Sequence, residues 1–247
     1  MSAVPPAAPA TAPQAFTASF PIRSLDDVRR LEETPLEKAL TVRSTYELFC
    51  NVTRVHGERP ALTFLRTGDP EDEPIRWTYA ELLRGIHQTA NLLHTLGVGL
   101  QDAVAVLLPG CLEYHLALWG GEAAGIVQPL NPLLTDEKLV SLMKAAGAKV
   151  LIAYGSDDES GMWSKAMRLR SQVPTLSMVL RVAPHDEPAD AVADLPEGVG
   201  DFKALREFYR CFIHPRIGDM LIIGGPPIAG GAIHFFLSHE FSHAVFD

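Results

Sequence analysis

The chain has 247 residues, 47% hydrophobic and 21% charged, with a formal net charge of −9 and a pI near 5.5. That length can bury a substantial core in one or two domains, and the composition is that of an ordinary globular protein. The acidic balance, with no Lys/Arg cluster, excludes a groove that follows phosphates and hence nucleic acid as the main partner.

The chain opens with "MSAVPPAAPATAPQAFTASF", rich in Pro and Ala, and has no basic residue before Arg23. A secretory signal needs a positive start and an unbroken apolar run, so residues 1–35 read as a disordered leader. "STYELFCNVTRVHG" then predicts a short helix, because Ser44 and Glu47 stand at capping-box spacing and Gly57 can end it. Residues 61–65 form a short β-like run. The acidic stretch "DPEDEP" (69–74), like "HDEPADAVADLPEG" (185–198), reads as a solvated loop.

After "IRWT", Thr78 and Glu81 form a second capping box. Tyr79, Leu82, Leu83, Ile86, Ala90, Leu93 and Leu96 recur at helical spacing until Gly97. "AVAVLLP" (103–109) is continuously apolar, as a strand covered on both faces should be. A helix is predicted over "EYHLALWGGEAAG" (113–125), a strand over "IVQPL" (126–130), and a helix capped by Thr135 over residues 136–147. Strands follow at "KVLIAY" (149–154) and "MVLRV" (178–182). Strands alternating with helices through short connections predict an α/β fold with a parallel, Rossmann-like sheet flanked by helices.

Cys50, Cys111 and Cys211 are odd in number and lie in apolar stretches without a CxxC partner. They read as buried thiols of a reducing cytoplasm, neither a disulfide framework nor a cysteine-rich zinc site. "MLIIGGPPIAGGAIHFFL" (220–237) is uncharged and just long enough to span a bilayer, but its Gly-Gly-Pro-Pro centre would break the helix and argues against a membrane segment.

Several of these features occur in a recognisable order: Thr78, Tyr79, Glu81 and Leu82; the Gly97-Val98-Gly99 turn; "DAVAVLLPG"; "GGEAAGIVQPLNP" (120–132); and the helix–strand pair ending in "AKVLIAY". Together they resemble the N-terminal part of AMP-forming acyl-CoA synthetases, members of the adenylate-forming superfamily with firefly luciferase and the adenylation domains of peptide synthetases. The resemblance covers about residues 40–182 and implies the sheet of that N-terminal domain. It also implies ATP, Mg²⁺ and CoA as cofactors and a small carboxylic acid as substrate, activated as acyl-adenylate and passed to a thiol. The matching residues are architectural. Gly97 can end a helix, Gly120, Gly121, Gly125, Ala123 and Ala124 let a helix approach the sheet, and Asn131 and Pro132 turn the chain.

The family cradles the triphosphate in a loop of the form Thr-Ser-Gly-Thr-Thr-Gly-x-Pro-Lys, and this sequence has none. The nearest stretch, "GGPPIAGG" (224–231), lacks Ser, Thr and Lys and holds two prolines without N–H donors. The later ribose-binding acid, the Mg²⁺-binding Glu and the C-terminal domain with its catalytic Lys are also missing. The expectation is therefore a truncated synthetase, residues 36–205 forming scaffold that does not adenylate alone. An open sheet edge in such a fragment would favour self-association.

Residues 206–247 change in character and end in "HEFSH", a His-Glu-x-x-His pattern. Three explanations stand beside one another: a frameshift or premature stop, a join to another coding sequence, or a metal site. On the last, His239 and His243 share one helix face and bind Zn²⁺, and Glu240 acts as general base on the metal-bound water. Ala244, Val245, Phe246 and Asp247 continue a resemblance to the motif helix of bacterial metallopeptidases. Asp247 would lie about 12 Å along the axis from His239 and cannot complete that site, and His234 points off the shared face, leaving His214 as a spare imidazole. On the metal-site explanation the purified protein retains one zinc per chain in elemental analysis and His239→Ala loses it; zinc content unchanged by that substitution removes the explanation.

Overall fold

A computed structural model describes residues 20–35, 38, 42, 44–66, 69, 71–156, 161–185, 187 and 195–208. Within the expected leader, Leu25–Glu32 form a helix, α1. The Pro/Ala-rich stretch ends at Pro21, and a complete capping box follows it. Ser24 Oγ accepts from the Asp27 N–H, and the Asp27 carboxylate accepts from the Ser24 N–H at 2.9 Å. Acidic residues in its first turn and arginines in its last complement the helix dipole, although none of its residues is buried.

Thr45–His56 form α2, where Ser44 Oγ accepts from the Glu47 N–H at 3.1 Å. Pro60–Phe64 (β1) and Ile75–Thr78 (β2) pair as an antiparallel ribbon, and Tyr79–Thr95 continue as α3. Here both halves of the expected box form. Thr78 Oγ1 accepts from the Glu81 N–H at 3.2 Å, and the Glu81 carboxylate accepts from the Thr78 N–H at 2.8 Å. Gly97 follows with φ of +78°, the left-handed conformation its position after the helix predicts.

The main sheet is made of Ala103–Leu107 (β3), Ile126–Pro129 (β4), Ala148–Tyr154 (β5), Met178–Val182 (β6) and Val199–Asp201 (β7). Its order is β4-β3-β5-β6-β7, with every pair parallel. The connecting helices are Leu112–Ala124 (α4), Asp136–Ala146 (α5) and Met162–Gln172 (α6), and Phe202–Phe208 (α7) follows β7. From β3 the chain steps outward through α4 to β4, crosses back through α5 to β5, and continues through α6 to β6. This is the doubly wound arrangement that the alternation of elements predicts.

Alternation along each strand divides the core in two. Val104, Val106, Val150, Ile152, Leu180 and Val182 face α3, α4 and α7, while Ala105, Leu107, Leu151, Ala153 and Val179 face α5 and α6. β4 forms one edge. The Ile126 and Leu130 amides donate to Asp102 and Val106 carbonyls bordering and within β3, which leaves Val127 and Pro129 turned outward.

One expected cap needs correction, and one helix has no counterpart among the expectations. Thr135 has the extended backbone of a cap, but its side chain makes no bond to a helix amide; the hydroxyl interacts with the Glu137 carboxylate instead. The helix α6 carries no side-chain cap signal, since its first flanking residue is Gly161 at φ +55°. Among the described residues no helix is long and apolar enough to cross a membrane, and the apolar stretch 220–237 lies outside them.

α3 and α4 approach each other closely through glycine. A Cβ on Gly120 would stand 2.5 Å from Thr89 Cβ and 2.6 Å from its Cγ2, and Thr89 is fully buried. Gly120→Val should therefore destabilise the protein by about 3 kcal/mol, at the upper end of overpacking costs. Urea denaturation of the variant and parent measures it, and an unchanged midpoint would contradict this packing.

Candidate functional site

In doubly wound sheets, ligands enter outside the carboxyl ends of the strands, where the winding reverses. Here that point lies between β3 and β5, bordered by residues 108–111, 130–135 and 155–156. Leu108 is buried, whereas Gly110 is exposed and a Cβ there would meet nothing. Cys111 flanks α4 in an extended conformation without a side-chain cap bond. Burial, with a smaller contribution from the Glu113 charge, pushes its thiol up to about 11. It is therefore a neutral thiol at physiological pH and a poor nucleophile.

The loop after β4 is tightly held. Asn131 Oδ1 accepts from the Leu133 N–H at 2.9 Å, and Lys165 Nζ from α6 donates to the carbonyls of Pro132 and Leu134 at 2.7 and 2.9 Å. Leu133 is left at the tip, 89% exposed. On the far side, Arg181 of β6 is 8% exposed. Its Nη2 donates to the Gly155 carbonyl at 2.8 Å and to the Glu187 carboxylate, and its guanidinium carbon lies 5.8 Å from the Trp163 ring centroid. A Cβ on Gly155 would come within 2.3 Å of Arg181 Nε, so only glycine lets the arginine lie across that turn. Both cations are thereby committed to fixing loops.

A triphosphate needs successive N–H donors, hydroxyls and a free Lys. The loop residues Leu108, Pro109, Gly110, Leu130, Asn131 and Pro132 offer no hydroxyl and no Lys, their two prolines lack N–H, and the Asn131 carboxamide oxygen is taken up by its own turn. They do not fit ATP, and among the described residues no three His, Cys, Asp or Glu side chains are grouped to hold a metal ion. His239, Glu240 and His243 lie outside the described residues, as does Cys211. Thr78, Glu81, Gly97, Gly120, Asn131 and Pro132 occupy the architectural places expected of them. The expectation did not include Arg181, Glu187, Gly155 and Trp163. The one visible signal was a charged residue inside the otherwise apolar "MVLRV".

Away from the strand ends, Tyr46 of α2 meets His87 of α3. The phenol oxygen is 3.0 Å from His87 Nε2, and the ring centroids are 5.6 Å apart. Burial lowers the His87 pKa and raises those of Tyr46 and Cys50. The contact joins two neutral rings and fastens α2 to α3.

Comparison with known proteins follows this geometry. The sequence pattern of a family described as AMP-binding enzyme matches residues 49–205. Marinolic acid–CoA ligase from a Pseudoalteromonas species is 25% identical over 181 residues, covering 71% of this chain and 28% of that protein. Long-chain-fatty-acid–CoA ligase FadD13 of Mycobacterium tuberculosis is 30% identical over 126 residues, covering 47% of this chain and 24% of its own. The crystal structure of the anthranilate–CoA ligase AuaEII with anthranoyl-AMP superposes with a TM-score of 0.54 at 18% identity, covering 71% of this chain and 29% of that one. This chain thus spans between 24% and 29% of the length of these relatives. The 206–247 segment lies beyond the matched residues.

The histidines set an acid limit on stability. Burial lowers the pKa of both His87 and His115 in the folded state. Above about pH 6.5 the ring is neutral folded or unfolded; below it the unfolded chain binds protons that the folded chain resists. The histidine contribution to stability should therefore be full above that pH and decline as pH falls below it. Asp27, Asp102 and Glu137, with lowered pKa values, act only at lower pH, near the carboxylate range. Urea midpoints across this interval test the prediction. His87→Gln, which keeps a partner for Tyr46, should flatten the slope; an unaltered slope would assign it elsewhere.

Proposed function

Because the chain belongs to the AMP-binding enzyme family, we propose that its α/β unit is the opening framework of an acyl-CoA ligase. The observation that carries this reading is the coincidence of the family match, residues 49–205, with the doubly wound unit from α2 to α7. The ligase names of the relatives support it, as does the family resemblance carried by the order of Thr78, Glu81, Gly97, Gly120 and Asn131 in this sequence.

The reaction of such a ligase joins a carboxylate to the α-phosphate of ATP with release of pyrophosphate, and CoA thiol then displaces AMP to give the thioester. In this reading the present residues position and do not react. β3 and β5 supply a rigid floor whose carboxyl ends open toward a ligand. The loop clamped by Lys165 and the turn held by Arg181 keep the rim in one shape. Preorganisation of this kind is what later catalytic segments require of a scaffold.

These 247 residues contain no Ser/Thr/Gly-rich loop ending in Lys, and the nearest glycine-rich stretch has two prolines in place of donors. A polypeptide of these residues therefore provides framework without adenylation chemistry. The test is ATP–pyrophosphate exchange by the purified protein with acetate, 4-coumarate and palmitate. No acid-dependent exchange is expected, and exchange with any of them would overturn the framework reading.

A further inference from the structure

A cavity of about 140 Å³ lies between α3, α4 and α7, beside Trp77 of β2. Its walls include Trp77, Arg84, Gln88, Leu116 and Arg206. Arg206 is the unusual member. Its Nη1 donates to Gln88 Oε1 at 2.9 Å, and Gln88 is itself 3% exposed. Arg206 Nε is closed off from solvent without an acceptor among the described residues, and Nη2 makes no hydrogen bond with them. No carboxylate among the described residues lies within ion-pair distance of this guanidinium. A cation withdrawn from water is ordinarily paired, because a neutral amide does not replace the lost hydration. Arg84, exposed on α3, adds a second positive charge to the same cavity.

The remaining charges restrict what could enter. Glu81 also lines the cavity, but its carboxylate accepts from the Thr78 N–H and hydroxyl at 2.8 and 3.1 Å and caps α3. Glu207 is exposed on the cavity wall, and the charges of Glu207 and Glu113 act on Arg206 without pairing with it. These acids disfavour a dianion such as a phosphate monoester and leave a singly charged, planar oxyanion as the better match for a guanidinium edge. Trp77 and Leu116 supply apolar wall. A cavity of about this volume accommodates a ring the size of benzene.

We infer that this cavity binds a small organic monocarboxylate, its oxygens shared by Arg206 and Arg84 and its carbon body against Trp77 and Leu116. The inference does not depend on the ligase reading, since the cavity uses residues other than those of the rim described above. Isothermal titration of the full chain with sodium benzoate tests it, with sodium chloride at equal ionic strength and benzamide, the neutral isostere, as controls. Saturable one-to-one binding of benzoate is expected, with none of benzamide. Arg84→Gln should weaken it roughly five- to tenfold, as loss of one charge-assisted contact does. Arg206→Lys, which keeps the charge but loses the planar fork, should weaken it at least as much, with circular dichroism verifying that both variants fold. No saturable benzoate binding, equal binding of benzamide, or either folded variant titrating like the parent would overturn the inference.

Discussion

Each of two neighbouring helices offers the other a glycine, and the layers of this protein hold together there. Gly120 of α4 receives Thr89 of α3, and Gly85 of α3 receives Leu116 of α4, where a Cβ would come within 2.6 Å of Leu116 Cδ2. Thr89 turns its hydroxyl back to the Gly85 carbonyl at 2.9 Å, which satisfies the polar group and presents the methyl side to the glycine. α3 in turn packs against α2, α7 and the β1–β2 ribbon. α2 and the β1–β2 ribbon therefore reach the sheet through one interlocked pair, whereas α7 also packs on β6 and β7 directly.

The same tightness governs the rim. Polar side chains near the strand ends are drawn into backbone bonds: Lys165 to two carbonyls, Arg181 to Gly155, Asn131 to its own turn. At the opposite end of β5, Lys149 reaches the Gly97 carbonyl and Asp102, which keeps the left-handed turn in place. A surface so committed is a good frame and a poor reagent. That contrast is why the fold is informative about the family while the described residues alone show no reacting group.

Much of the sheet could be read from the sequence because its signals are local. Continuous apolar runs marked β3 and β5, and capping residues with helical spacing marked α3 through Thr78, Glu81, Leu82, Ile86 and Leu93. The helix α6 escaped because Gly161 gives no cap signal, although Met162, Ala166 and Leu169 carry its buried stripe. α1 escaped because Asp27 stands where the capping-box pattern has Glu or Gln. The Arg181–Glu187 pair joins a strand to a loop through an arginine whose neighbours in sequence are apolar, and the Tyr46–His87 contact spans two helices. Periodicity within one element cannot reveal such partners. The HEFSH reading rested on a short local pattern and falls outside the described residues, so neither architecture nor likeness to relatives bears on it.

Pro129 occupies an outward-facing position on the edge strand β4, alongside Val127. Its ring replaces the N–H that a neighbouring strand would need, so this border presents one amide donor, that of Val127, where a regular strand of the same length would present two. An open parallel sheet edge ordinarily can template cross-β growth along such a border. Here the ladder has a stop written into the polypeptide, and stacking of like chains through β4 would have to break register at its second rung.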